Sequence, residues 1–280
     1  MEYKREPIVR LLWRTASRSM DLSRLAPLLR HTLVIVAHPD DESISCGGLL
    51  QHMRKACVVF ATDGAPQDDY FWRRFGSRER YANIREDEAR AALAAVGVED
   101  FEFLARQTDT PLIDQRLHEA LPAAFAALSQ IVERRRPECL LTLAYEGGHP
   151  DHDAVSFLGA HLGRTFGLPV WEAPLYHRDS HGGGVHQQFV EEHGDVIDHV
   201  VEGAELEAKV RMLGCYKSQF DSLPSFKTHL ERFRPQVAYD YSRRPHSGKL
   251  NYELWQWPMT PEELCAAFAA FCSASALQEK

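Results

Sequence analysis

Two short segments concentrate the residues that can do chemistry. The first is Ala37-His38-Pro39-Asp40-Asp41-Glu42, and the second is His149-Pro150-Asp151-His152. A catalytic metal takes about three N or O ligands and keeps one position for water. His38 and Asp41 can supply two ligands from one turn, and His152 is the natural third. Pro150 is suited to the first position of a helix, which puts His149 at its cap and His152 near the end of the first turn. Residues three apart on a helix share a face, so His149 and His152 can look into one site without both binding metal. Asp40 and His149 then remain for the reaction. A metal such as zinc brings the pKa of its water toward ~7, and Asp40 beside it can take the water proton. A cationic His149 can steady an oxyanion or give a leaving amine its proton. The set fits hydrolysis of an amide. Two histidines and one carboxylate suit several metals, so Zn2+ is the expected ion and Fe2+ the alternative.

The elements that must position these residues follow from the apolar pattern. Runs at 32–37, 57–61, 101–104, 139–144 and 170–176 read as buried strands. Segments 43–55, 80–96, 114–135 and 150–166 read as helices, with Gly97 and Gly167 just past the ends of two of them. This alternation predicts an α/β, Rossmann-like doubly wound sheet, mostly parallel, with a less regular C-terminal region. In such sheets ligands sit at the carboxyl ends of the strands. Both chemical segments fall there, after the first and fourth strands. Beyond 176 the reading is a His/Gly-rich loop at 177–188, a strand at 196–201, a helix at 205–218 and a last helix at 261–271 capped by Thr260. The expected organisation is a helical extension at 1–30 and one domain at 31–280, with its core at 31–176 and a substrate-shaping region at 177–280.

Composition excludes several classes. The chain has 280 residues, is 44% hydrophobic and 26% charged, and carries a formal net charge of -8. That balance lacks the basic footprint of a nucleic-acid binder. No apolar run approaches the ~20 residues of a membrane span, and the start of the chain has no signal-peptide pattern. The six cysteines form no C-x-x-C pair, which suits reduced thiols and a cytoplasmic location. No G-x-G-x-x-G follows the first strand, so a dinucleotide site is not expected.

On the two motifs, A-H-P-D-D-E and H-P-D-H, the sequence resembles the PIG-L / LmbE family of zinc-dependent N-acetylglucosaminyl deacetylases. The likeness continues through Thr62-Asp63-Gly64, through Arg85 and Glu88 with the Ala-rich helix to Gly97, and more weakly over Lys209 to Gln219. The resemblance implies metal ligands His38, Asp41 and His152, with Asp40 as general base and His149 supporting the transition state. It also implies a small N-acetylated sugar or glycoconjugate as substrate, with Arg85 and Asp109 as contacts to it. A homo-oligomer is compatible with the family. One departure concerns the sugar: many members carry an acidic residue just after T-x-G, where this chain has Ala65-Pro66. The alternatives are a metal hydrolase of another amide or an ester, and a non-catalytic binding protein on the same fold. The retention of all five chemical residues speaks against the latter.

Other residues invite weaker readings. Glu42 suits an orienting role beside the first turn. Asp69 to Trp72 is an aromatic cluster in a long loop, able to act as a lid or to pack on the core. His177, His181 and His186 sit in the His/Gly-rich loop, and Arg243, Arg244 and His246 make a small basic spot.

Overall fold

The structure is a computed structural model that describes residues 22–278. Most of the extension expected at 1–30 lies outside the described residues; within it, Leu25 and Leu28 are buried in the core. The elements in chain order are β1 (His31–Val36), α1 (Asp41–Cys46), β2 (Lys55–Phe60), α2 (Arg78–Ala94), β3 (Phe101–Phe103), α3 (Leu121–Arg135), β4 (Cys139–Leu143) and α4 (Pro150–Phe166). They continue with β5 (Val170–Ala173), β6 (Tyr176–Arg178), β7 (Gly184–His186), β8 (Ile197–Val200), α5 (Gly203–Leu213), β9 (Leu230–Pro235), α6 (Asn251–Leu254) and α7 (Pro261–Gln278).

Seven strands form one sheet in the order β3-β2-β1-β4-β5-β9-β8. The pairs among β3, β2, β1, β4 and β5 are parallel, while β9 is antiparallel to both β5 and β8. The chain winds outward from β1 through β2 to β3, then returns to start again at β4. The topological switch therefore lies between β1 and β4, where an open α/β sheet binds its ligand. The strands β1, β2 and β4 are buried along nearly their whole length because helices cover both faces, so they read as continuous apolar runs.

The structure differs from the sequence expectations at several places. The helix expected at 43–55 ends at Cys46, and a 3-10 turn, Leu49–His52, follows Gly47-Gly48. A Cβ on Gly48 would lie 2.7 Å from Val201 Cγ2, so the glycine lets the C-terminal region close on this turn. The helix expected from 114 begins at Leu121, because Gln115 has φ 69° and its N–H donates to Asp151. Strand β9 was not expected: Glu231 and Arg234 stand at buried places in it and break the apolar alternation. The loop at 177–188 contains the β6–β7 hairpin. At the last helix Thr260 and Glu263 bond reciprocally, a capping box, and the helix runs on to Gln278. Cys46, Cys57 and Cys139 are buried, Cys215 and Cys265 partly so, and Cys272 is exposed; all are free thiols. Among the described residues no helix is long and apolar enough to cross a membrane.

Candidate metal centre

The two motifs meet in the crevice between the carboxyl ends of β1 and β4. His38 Nε2 lies 3.0 Å from Asp151 Oδ2 and 3.2 Å from Asp114 Oδ1. With Nε2–H given to Asp151, Nδ1 keeps its lone pair, and it sits 3.5 Å from Asp41 Oδ2. Asp41 Oδ1 is 3.3 Å from His152 Nε2. The donor nitrogens of His38, His149 and His152 also lie within 4.8 Å of one another.

His152 tests whether this set suits a metal. It is 1% exposed, and neither of its ring nitrogens has a hydrogen-bond partner. The contact to Asp41 is an ion-pair distance without hydrogen-bond geometry. A buried imidazole with two orphaned nitrogens is costly unless something takes its lone pair. A divalent cation among His38 Nδ1, Asp41 and His152 Nε2 does that, and the donor types suit zinc.

Local sequence explains how each side chain is held. Asp40 has φ 124°, outside the usual regions for a residue with a side chain. Its N–H donates to Glu42 Oε2 (3.1 Å), and its carbonyl accepts from Ser43 and Ile44 at the start of α1. Glu42 is fully buried and also accepts from Tyr216 Oη (2.6 Å) and Ser43 Oγ, which anchors the turn. His149 caps α4: its Nδ1 accepts from the Asp151 N–H at 3.1 Å, and its ring tilts against Trp257. Nδ1 is thus the acceptor and Nε2 carries the hydrogen, facing Asp114 Oδ1 at 3.4 Å.

The electrostatics follow from burial and like charge. Burial pushes the Asp40 carboxyl up to about 8, against the pull of Arg85. Burial and the neighbouring His38 press His149 down to about 4. The sequence reading had a cationic His149; in its buried setting it is a neutral Nε2–H donor. Burial alone would lower His38, but Asp114 with Asp151 and Asp41 outweighs it and holds the group well above its ordinary value. Asp41 moves the other way, its burial penalty overcome by His152 and His38.

Of the two expected substrate contacts, Arg85 is among the residues lining the cleft and Asp109 is not. Arg85 is buried and committed to the turn: it donates to Gly64 O (2.7 Å) and Pro39 O (2.6 Å) and pairs with Asp40 Oδ2 at 3.2 Å. It does not pair with Glu88, which instead accepts from Ser218 N and Oγ. Gly64 has φ 62°, and a Cβ there would press on Pro39 and Arg85, so the T-x-G loop needs its glycine. Asp109 is exposed and away from the cleft, and the acid that reaches the site is Asp114. Sequence reasoning missed Asp114 and gave Asp151 no role. The Asp151 signal lay inside H-P-D-H; Asp114 had only the preceding apolar Leu112, which is buried and anchors the loop.

The cleft holds about 420 Å³. His38, Asp41 and His152 line it together with Phe71, Tyr176, Phe226, Trp255 and Trp257. His177 and His186 reach it from the β6–β7 hairpin, whereas His181 is exposed. Tyr70 is exposed near the rim, and Trp72 is tied by its Nε1–H to Pro66 O. The hairpin sits tightly on the second motif: a Cβ on Gly148 would lie 1.8 Å from Tyr176 O. Gly148→Ala is therefore expected to destabilise the fold by roughly 1–3 kcal/mol and to displace His149. A thermal unfolding midpoint equal to that of the parent would refute that coupling.

Comparisons with known proteins agree with this architecture. Residues 33–162 match the PIG-L family model, whose description is GlcNAc-PI de-N-acetylase. A probable N-acetyl-alpha-D-glucosaminyl L-malate deacetylase 2 of Bacillus cereus is 27% identical over 202 residues, covering 69% of this chain and 86% of that protein. A 1D-myo-inositol 2-acetamido-2-deoxy-alpha-D-glucopyranoside deacetylase of a Mycobacterium species is 31% identical over 153 residues, 48% of this chain and 50% of its own length. This chain thus spans about half of that relative. Among solved structures, a triple mutant of a deacetylase in teicoplanin biosynthesis has a TM-score of 0.59 at 19% identity, over 75% of this chain and 99% of that one. An N,N'-diacetylchitobiose deacetylase of Pyrococcus horikoshii has a TM-score of 0.51 at 19% identity, over 84% and 93%. At such identities the two structures speak to the fold.

Proposed function

This chain contains a PIG-L (LmbE-like) family domain, and from that premise we propose that it is a metal-dependent deacetylase of an N-acetylated amino sugar, with Zn2+ as the ion. The observation that carries the reading is the meeting of His38, Asp41 and His152 at the switch point, with Asp40 and His149 lining the same cleft. His38 through Nδ1, Asp41 and His152 through Nε2 would hold the ion. When bound, it supplies Lewis acidity and acidifies a water molecule.

The chain's own groups do the rest. Asp40 accepts the water proton, and Arg85 on its Oδ2 fixes the direction of that carboxylate. His149 directs Nε2–H toward the cleft, where it donates to the oxyanion that forms on the acetyl carbonyl. The proton held by Asp40 then passes to the departing amine. Asp151 keeps the tautomer of His38 through Nε2. The aromatic walls offer flat apolar faces to a pyranose ring and exclude water around the amide. The relatives' names, a glucosaminyl malate and a glucopyranoside of inositol, support an α-linked N-acetylglucosaminide as substrate.

The test is acetate release from a panel of N-acetylated sugars and their α-glycosides, followed by mass spectrometry. Activity should vanish on chelation and return with Zn2+, and His152→Ala should lose the ion from this site. Full turnover by metal-stripped protein would end the proposal. Turnover of acyl esters with no amide in the panel touched would move the reaction to another bond.

A further inference from the structure

A second group of metal-type side chains lies outside the lining of the cleft. His52 ends the 3-10 turn after α1, His199 is on β8, and Glu205 is in the first turn of α5. His52 is distant in sequence from the other two, yet the donor atoms of all three lie within 4.8 Å of one another. His199 and Glu205 are buried, and the His52 side chain is 31% exposed. Both rings aim Nε2 at one carboxylate oxygen: His199 Nε2 is 2.6 Å and His52 Nε2 3.3 Å from Glu205 Oε1.

Hydrogen bonding accounts for only part of this arrangement. His199 bonds to Oε1, but His52 Nε2 makes no hydrogen bond although the atom is shielded from solvent. An orphaned buried nitrogen aimed at a carboxylate needs an explanation. Space has also been kept for that carboxylate, since a Cβ on Gly48 would come within 3.0 Å of Glu205 Oε1. The 3.3 Å separation is about the edge of a tetrahedron with bonds of ~2.0–2.1 Å, the length of zinc–imidazole and zinc–carboxylate bonds. The closer His199–Glu205 pair would open to a similar separation by rotation of the Glu205 side chain.

We propose that His52, His199 and Glu205 form a second, structural site for a divalent transition-metal ion of the zinc type. The ion joins the turn after α1 to β8 and α5, beside the Gln51 Nε2–Glu205 O bond that already links the turn to α5. Its remaining position faces solvent past the part-exposed His52. Imidazole and carboxylate donors favour zinc over magnesium or calcium.

The test counts ions in the full chain after stripping, reconstitution with Zn2+ and gel filtration. Wild type should retain two per chain, and His52→Gln one. The His38→Ala/His152→Ala double variant should also retain one, and its melting midpoint should rise by ~5 °C with Zn2+ in large excess over Kd. Adding His52→Gln to that double variant should abolish both the ion and the rise. The proposal is overturned if His52→Gln retains as many ions as wild type, or if Zn2+ leaves the midpoint of the double variant unmoved. A single wild-type ion that survives His38→Ala/His152→Ala but not His52→Gln would keep this site and discard the one in the cleft.

Discussion

Asp40→Asn should lower the rate of acetate release by ~10²–10⁴-fold while the protein keeps its metal. The substitution retains the size of the side chain and removes its charge and its ability to accept a proton. Asparagine also tolerates the positive φ of this position better than alanine does, so the turn should hold. Arg85 loses a charged partner but keeps its bonds to Gly64 O and Pro39 O, with Asp114 Oδ2 at 3.7 Å. The fold should therefore survive with a modest loss of stability. The measurement is kcat beside metal content for the same preparation. An Asp40→Asn enzyme of normal kcat would show that another group takes the proton.

Lys209→Met should cost about 3–5 kcal/mol of stability, the effect of stranding one member of a buried ion pair. Lys209 and Glu231 are fully buried, with Nζ 2.6 Å from Oε1. Lys209 also donates to Ile44 O, near the end of α1, and Glu231 accepts from Gly48 N and Leu49 N. The pair thus fastens both sides of the break that follows α1, the helix that begins at Asp41. Methionine fills the volume and leaves the Glu231 charge without its partner. Adding Glu231→Gln should recover part of the loss, because it removes the stranded charge. It should not recover all of it, because one amide oxygen replaces two carboxylate oxygens that served two backbone N–H groups. Denaturant unfolding of the parent and both variants checks this. Equal stability of the single and double variants would rule out the buried charge as the cause.

These two expectations draw on different depths of the sequence. Asp40 stands in a dense local motif after an apolar β-branched run, so its place at a strand end was readable from the order of residues. The parallel half of the sheet was legible for the same reason: strands buried on both faces leave long apolar runs. Lys209 and Glu231 carried no comparable signal. A charged residue in sequence is taken for a solvated one until its partner is known, and these partners are far apart along the chain. The same masking hid β9, whose Glu231 and Arg234 interrupt the alternation that marks a strand. Arg234 is satisfied by Glu172 on β5, a contact that exists only after the sheet has formed.

At the opening pair of motifs, residue order alone placed His38, Asp40, Asp41, His149 and His152 at the ends of the first and fourth strands, because turn and cap chemistry is local. It could not determine which two strands lie side by side, and so whether the motifs face each other across the switch point. Nor could it show Asp114 entering the site in place of Asp109, Arg85 turned to the backbone of Pro39 and Gly64, or His149 kept neutral. Those outcomes depend on burial and on charges brought together from distant segments. Desolvation and Coulomb terms are set by three-dimensional neighbours, and the tertiary structure alone supplies them.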